Sequence, residues 1–143
     1  FKLTYYIQRL ILLKIGGINT MAKRKMILDL DTGVDDALAI AYALADPEVD
    51  LIGIVSSYGN NLLDVCAENS LKLLELLGHT DIPVFKGLPH SCTTDHFDVM
   101  QVSKDIHGDN GIGDVELPAP SRALDHHPYW SNDKLSCCLE EGS

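Results

Sequence analysis

The sequence is poor in basic residues: 11 Lys and Arg stand against 21 Asp and Glu, a formal charge of −10. Phosphate backbones need Lys and Arg to neutralise them, so this balance argues against a DNA- or RNA-polymer binder. It says nothing against small molecules that carry no phosphate. Cysteines are few, and the four present (Cys66, Cys92, Cys137 and Cys138) lack metal-type spacing. The adjacent pair would form a strained bridge, so a reduced, cytosolic compartment is expected. Long apolar runs are also missing. In FKLTYYIQRLILLKIGGINT, Arg9 and Lys14 bracket only Leu10–Leu13, too short for a signal-peptide core or a membrane span. No internal repeat or low-complexity tract interrupts the chain. What is there, 143 residues with 45% hydrophobic and 22% charged, is ordinary composition for one globular domain.

The first twenty residues stand apart. Gly16-Gly17 can be encoded GGAGGN, a ribosome-binding sequence, and Ile18-Asn19-Thr20 separate it from Met21. Residues 1–20 are therefore read as translated leader, with the protein proper beginning MAKRKMILDLD.

From Lys25 onward the periodicity is clear. MILDLD reads as a short buried strand closed by a Thr32-Gly33 turn. DDALAIAYALAD reads as a helix with Asp35 and Asp36 in its first turn and Pro47 after its end. DLIGIVSS is a second buried strand and Gly59-Asn60 a turn. LLDVCAENSLKLLELLG has apolar residues at helical spacing, with Gly78 as its stop. IPVFKG is a third strand. Alternating strands and helices with continuously apolar strands predict an α/β fold: an open, mainly parallel sheet with helices on both faces. The right-handed crossover rule then gathers the loops after the first and second strands on one edge, bringing together Asp31, Asp35, Asp36 and Asn60.

The stretch LDLDTGVDD (28–36) holds four aspartates. Carboxylates this close repel, which points to a cation, and all-oxygen ligands without nearby Cys or His favour Ca²⁺ or Mg²⁺ over zinc. An EF-hand loop fails on spacing, because counting from Asp29 puts Val34 at the sixth position and Ile40 at the twelfth. A haloacid-dehalogenase-type phosphatase would use Asp29 as nucleophile and Asp31 as acid/base. Gly33 departs from that pattern, and Asp35-Asp36 would have no task. By residue type alone, Asp35 and Asp36 are good first-turn residues and Asn60 an ordinary turn residue. Asp29, one residue before the turn, is read as structural and as alternating away from Asp31. Tyr58 and Phe85 are read as packing residues, and His90, His96, His126 and His127 as solvent-facing.

DLDTGVDDALAI resembles the N-terminal signature DxDPGxDDxxAI of the nucleoside N-ribohydrolases, the inosine/uridine-preferring nucleoside hydrolase family, with Thr32 in place of the usual proline. That replacement is expected to loosen the turn without removing a ligand. LIGIVSSYGN resembles the family's second strand and Gly-Asn turn, ENSLKLLELLGHTDIPVFKG its next helix and strand, and HGDNGIGDVELP its HGxxGxG loop. The likeness runs from about Lys25 to Pro120. It implies Ca²⁺-dependent hydrolysis of the N-glycosidic bond of a ribonucleoside to free base and ribose. It implies that Asp31 contacts Ca²⁺ and takes the proton of the attacking water, that Asp36 ligates Ca²⁺, that Asp35 and Asn60 hold ribose hydroxyls, and that His107 faces the nucleobase. By its surroundings alone, His107 divides evenly between pocket wall and surface. The partner is a small-molecule ribonucleoside, with no nucleic-acid polymer and no membrane. Family members commonly form homodimers or homotetramers.

After Pro120, SRALDHHPYWSNDKLSCCLEEGS has neither helical nor strand period. Shifting the codons of Asp125 through Glu141 by one base allows IITPIGPMTN, which looks like the family's next strand and metal-binding turn. Residues 121–143 are therefore read as an aberrant, frameshifted tail and residues 21–120 as the N-terminal portion of the domain. The family's later metal ligands, ribose-binding Asn/Glu segment and leaving-group histidine have no counterparts, so this polypeptide is expected to be inactive or weak alone. The remaining alternatives are a Mg²⁺-dependent phosphatase and a non-enzymatic cation-binding remnant.

Overall fold

The computed structural model describes residues 23–125. The leader, His126, His127 and most of the tail lie outside the described residues. Six elements follow one another: β1 (Arg24–Leu30), α1 (Val34–Ala45), β2 (Val49–Ser56), α2 (Leu63–Leu76), β3 (Val84–Lys86) and α3 (Gln101–His107). The strands lie parallel in the order β1-β2-β3. This is the α/β class that the alternating pattern predicts.

Both crossovers step in the same direction across the sheet, so the right-handed rule sends α1 and α2 to one side. The two helices touch each other as well as β2. Helix α2 buries Leu63, Cys66, Ala67, Ser70, Leu71 and Leu74, the i, i+3, i+4, i+7 stripe of a helix lying on a sheet. Leu71 and Leu74, with Leu73, join Ile40 and Ala43 of α1 and Val49, Leu51, Ile54 and Val84 of the strands in one core. Ile40, Ile54, Leu74 and Val84 have no exposed surface; each contributes roughly 1.5–3 kcal/mol by leaving water.

A register shift between Met26 and Ile27 leaves Ile52 as an extra residue opposite β1. The bulge lets Leu51 and Ile54, three apart, both point into the core. Ile27 and Ile52 project on the other side of the sheet and are exposed.

The chain stops where its sequence says it should. Asp46 ends α1 with its N–H on the Tyr42 carbonyl, and Pro47 follows. Gly78, at φ +82°, closes α2: its N–H bonds the Glu75 carbonyl at 3.0 Å and the His79 N–H bonds that of Leu74 at 2.8 Å. This is a Schellman closure, for which a residue without Cβ is suited. Helix α3 has no counterpart in the sequence reading. Its seven residues are too few for a readable apolar period, and only Ser103 and His107 are buried. Among the described residues, no helix is long and apolar enough to cross a membrane.

Candidate active site

β1 ends at Leu30, so Asp31 sits in the turn and leaves the strand's alternation. Residues two apart on a strand share a face, and the separation of Asp29 from Asp31 therefore comes from this turn and not from alternation. Asp29 is exposed beside Ile27. The Ser57 N–H bonds the Leu30 carbonyl at 2.9 Å and draws the two strand ends together. Beyond them, the Asn60 N–H donates to Asp31 Oδ2 at 2.7 Å, a short, charge-assisted bond. Gly59 lies so close that a Cβ there would strike the same carboxylate oxygen. The Cys66 thiol donates to the Asp31 carbonyl at 3.3 Å.

Thr32 does not loosen the turn. It is fully buried, and its Oγ1 lies 2.6 Å from Ser70 Oγ on α2. Ser70 also donates to the Cys66 carbonyl at 3.1 Å and lies 3.3 Å from Ser56 Oγ. A buried hydroxyl pair thus ties the turn to α2.

Gly33 is the N-cap of α1, and Asp36 Oδ2 at the N3 position accepts its N–H at 3.0 Å. Burial raises the Asp36 pKa; the Gly33 bond opposes this, and the charges of Asp35 and Asp31 add to the rise. The nearby His107 acts against the rise. Asp35 is exposed, and its Oδ1 lies 3.8 Å from His107 Nδ1.

His107 is buried, at 8% exposure, which places it in the wall of the site and not on the surface. The Val34 N–H, one of the unpaired donors of the first helical turn, donates to its Nδ1 at 3.2 Å. An accepting Nδ1 carries no proton, so the neutral ring holds its proton on Nε2. A Cβ on Gly33 would fall 2.5 Å from Asn60 Nδ2 and 2.7 Å from His107 Nδ1. Gly33 is thus the floor on which the Asn60 amide and the imidazole meet. Asp31, Asp35, Asp36, Asn60 and His107 come together at one end of the sheet, drawn from three separate segments.

The oxygen-only donors Asp31 and Asp36 suit a hard divalent cation in their chemistry. Among the described residues, no group of three or more His, Cys, Asp and Glu gathers into a metal cage. Two carboxylates alone would supply only part of the roughly six to eight oxygens that an ion such as Ca²⁺ takes.

Other histidines lie elsewhere. His96 is exposed between Asp95 and Asp98, and His90 is half-buried against the Ser91 carbonyl, not solvent-facing. Tyr58 packs on Phe97 with ring centroids 4.7 Å apart.

The sequence model of the inosine-uridine preferring nucleoside hydrolases matches residues 26–136. The chain belongs to that family. The match continues past Pro120 into the segment read as aberrant. A probable uridine nucleosidase of Arabidopsis thaliana is 40% identical over 98 residues, which span 68% of this chain and 30% of the plant protein. The solved purine-preferring ribonucleoside hydrolase from Gardnerella vaginalis is 54% identical with a TM-score of 0.71, covering 73% of this chain and 33% of that one. Against these two nucleoside hydrolases the chain spans about a third of their length. An uncharacterized protein from the ribF 3′ region of Corynebacterium ammoniagenes is 50% identical over 95 residues and is matched over 99% of its length.

Proposed function

We propose that this nucleoside hydrolase chain carries the ribose- and cation-binding half of a Ca²⁺-dependent N-ribohydrolase, one that splits a ribonucleoside into free base and ribose. The observation that carries the reading is the convergence of Asp31, Asp35, Asp36, Asn60 and His107 at the ends of β1 and β2, with Asp36 held at a raised pKa by burial and by its acidic neighbours.

Asp31 and Asp36 would hold the cation, which when bound lowers the pKa of a water and positions it. Asp31, oriented through Oδ2 by the Asn60 backbone N–H, accepts the proton of the attacking water at its carboxylate. Asp35, exposed at the rim, and the Asn60 side chain bind ribose hydroxyls. N-glycosidic cleavage develops positive charge on the sugar, and carboxylates already in place stabilise it without reorganising. His107, with its proton on Nε2, faces the base as a donor. Other segments of the family's fold would complete the cation shell. The substrate is a small-molecule ribonucleoside and the compartment the reducing cytoplasm, where the thiols of Cys66 and Cys92 stay free.

Calorimetric titration with Ca²⁺, run on the chain and on Asp36→Ala, tests the reading. Binding heat present in the first and lost in the second supports it; identical heats remove the site. Inosine and uridine assayed beside a generic phosphate ester exclude or reveal phosphatase chemistry.

A further inference from the structure

Two buried asparagines stand outside the roles given so far. Asn61 is 6% and Asn69 2% exposed, and both turn their amides towards the glycine-rich turn that follows α3. Asn61 Nδ2 donates to the Asp109 carbonyl at 2.9 Å, and Asn69 Nδ2 to the Asn110 carbonyl at 2.8 Å. The two carbonyls are adjacent, so the asparagines grip one turn at successive peptide groups. Asn61 Oδ1 is itself fixed by the Leu62 N–H at 2.8 Å. Gly111, at φ +81°, makes the approach possible: a Cβ there would press to 3.1 Å of Asn69 Nδ2.

The gripped turn holds His107 directly. The Gly113 N–H bonds the His107 carbonyl at 2.6 Å, and Gly111 bonds Gly108 at 3.2 Å. On its other side, the His107 ring accepts the Val34 N–H. A chain of bonds thus runs from α2 through the glycine-rich turn to the imidazole and on to the first turn of α1, which carries Asp35 and Asp36.

We infer that Asn61 and Asn69 are positioning residues: their paired amides clamp the 109–110 turn onto α2, and this holds His107 in its Nε2–H tautomer against the N-terminus of α1. A carboxamide suits each position, because it places an uncharged N–H donor against the peptide carbonyl from a buried side chain. The inference rests on the site reading above for its functional meaning, but the clamp itself is tested without turnover.

The test uses ¹⁵N-labelled full chain and the variants Asn69→Leu and Asn61→Ser, at a pH where imidazole is neutral. Long-range ¹H–¹⁵N spectra give the His107 tautomer, and amide exchange reports the Val34 N–H. The parent should show a single Nε2–H tautomer. Asn69→Leu should show mixed tautomers and exchange at Val34 faster by about fivefold or more, the effect of losing one hydrogen bond. General loosening of the fold would speed exchange across the core as well, so unchanged protection at Ile54 and Leu74 marks a specific effect. If Asn69→Leu does not fold, the smaller Asn61→Ser carries the same comparison. A folded variant with parental tautomer and parental Val34 exchange overturns the inference. Ca²⁺ heats recorded alongside separate the two ideas: a parent without Ca²⁺ binding but with tautomers that move in the variants defeats the functional reading and leaves the clamp standing.

Discussion

Thr32 and Ser70 share a hydrogen bond of 2.6 Å inside the fold, between hydroxyls 38 residues apart in the chain. Neither side chain reaches solvent. The bond ties the turn that carries Asp31 to the helix packed beneath it. Thr32→Val keeps the shape and removes the hydroxyl, and should destabilise by ~1–3 kcal/mol in urea unfolding. Ser70→Ala should do likewise, and the double variant should lose less than the sum, because each single change strands the other's partner. Full additivity would show that the bond is not formed.

Gly33→Ala should damage the site more than the helix. Alanine is the better helix former by about 1 kcal/mol in a helix interior, but here its methyl would displace Asn60 and His107. Expected are a loss of ~1–3 kcal/mol and an altered imidazole spectrum. A stabilised protein would mean that the two side chains are not where they are described.

Asp36→Asn separates stability from ion binding. A raised folded pKa means that the fold prefers the neutral carboxyl. That contribution is fully present below the unfolded carboxylate pKa and is lost as pH rises through the folded one. Without a divalent ion at neutral pH, Asp36→Asn should therefore melt at or above the parent temperature, since its amide oxygen can still accept the Gly33 N–H. With Ca²⁺ added, the parent should gain and the variant should not. Thermal melts with Ca²⁺ or with chelator decide this.

The two described thiols should react very differently. Cys66 is fully buried, and burial pushes its pKa to about 11, while Cys92 is exposed. The thiolate is the reactive form. Brief iodoacetamide treatment of the native protein should modify the Cys92 peptide and spare that of Cys66, with denaturant abolishing the difference. Early labelling of Cys66 would show that α2 does not sit against the Asp31 turn.

The sequence made β1, α1, β2, α2 and β3 readable, because each had a clear period and each helix a clear stop: Pro47 after α1, Gly78 after α2. Asp31, Asp35, Asp36 and Asn60 were legible because they flank the turns that end two adjacent parallel strands. His107 was ambiguous, since the Val34 N–H that its ring accepts lies 73 residues earlier in the chain. Thr32 was misjudged for the same reason: its value lies in Ser70, and local turn chemistry says nothing of a partner on another element. Asn61 and Asn69 look like ordinary helix-start and helix-interior residues. A weak signal for Asn69 is a polar residue beside Ser70 in an otherwise apolar stretch of α2; Asn61, which precedes the helix, carries no such signal.

The outer rim of β3 is already occupied. Val84 donates its N–H to Asp125 Oδ2 at 3.1 Å, and the Asp125 N–H returns a bond to the Val84 carbonyl at 3.0 Å. Arg122 steadies the arrangement by pairing with that carboxylate at 2.8 Å. Any strand joining this sheet, from a longer chain or a second molecule, is therefore steered to the far border along Arg24–Leu30, next to the bare side chain of Ile27. A strand added along that border would lie beside the β1 end, where the turn carrying Asp31 begins.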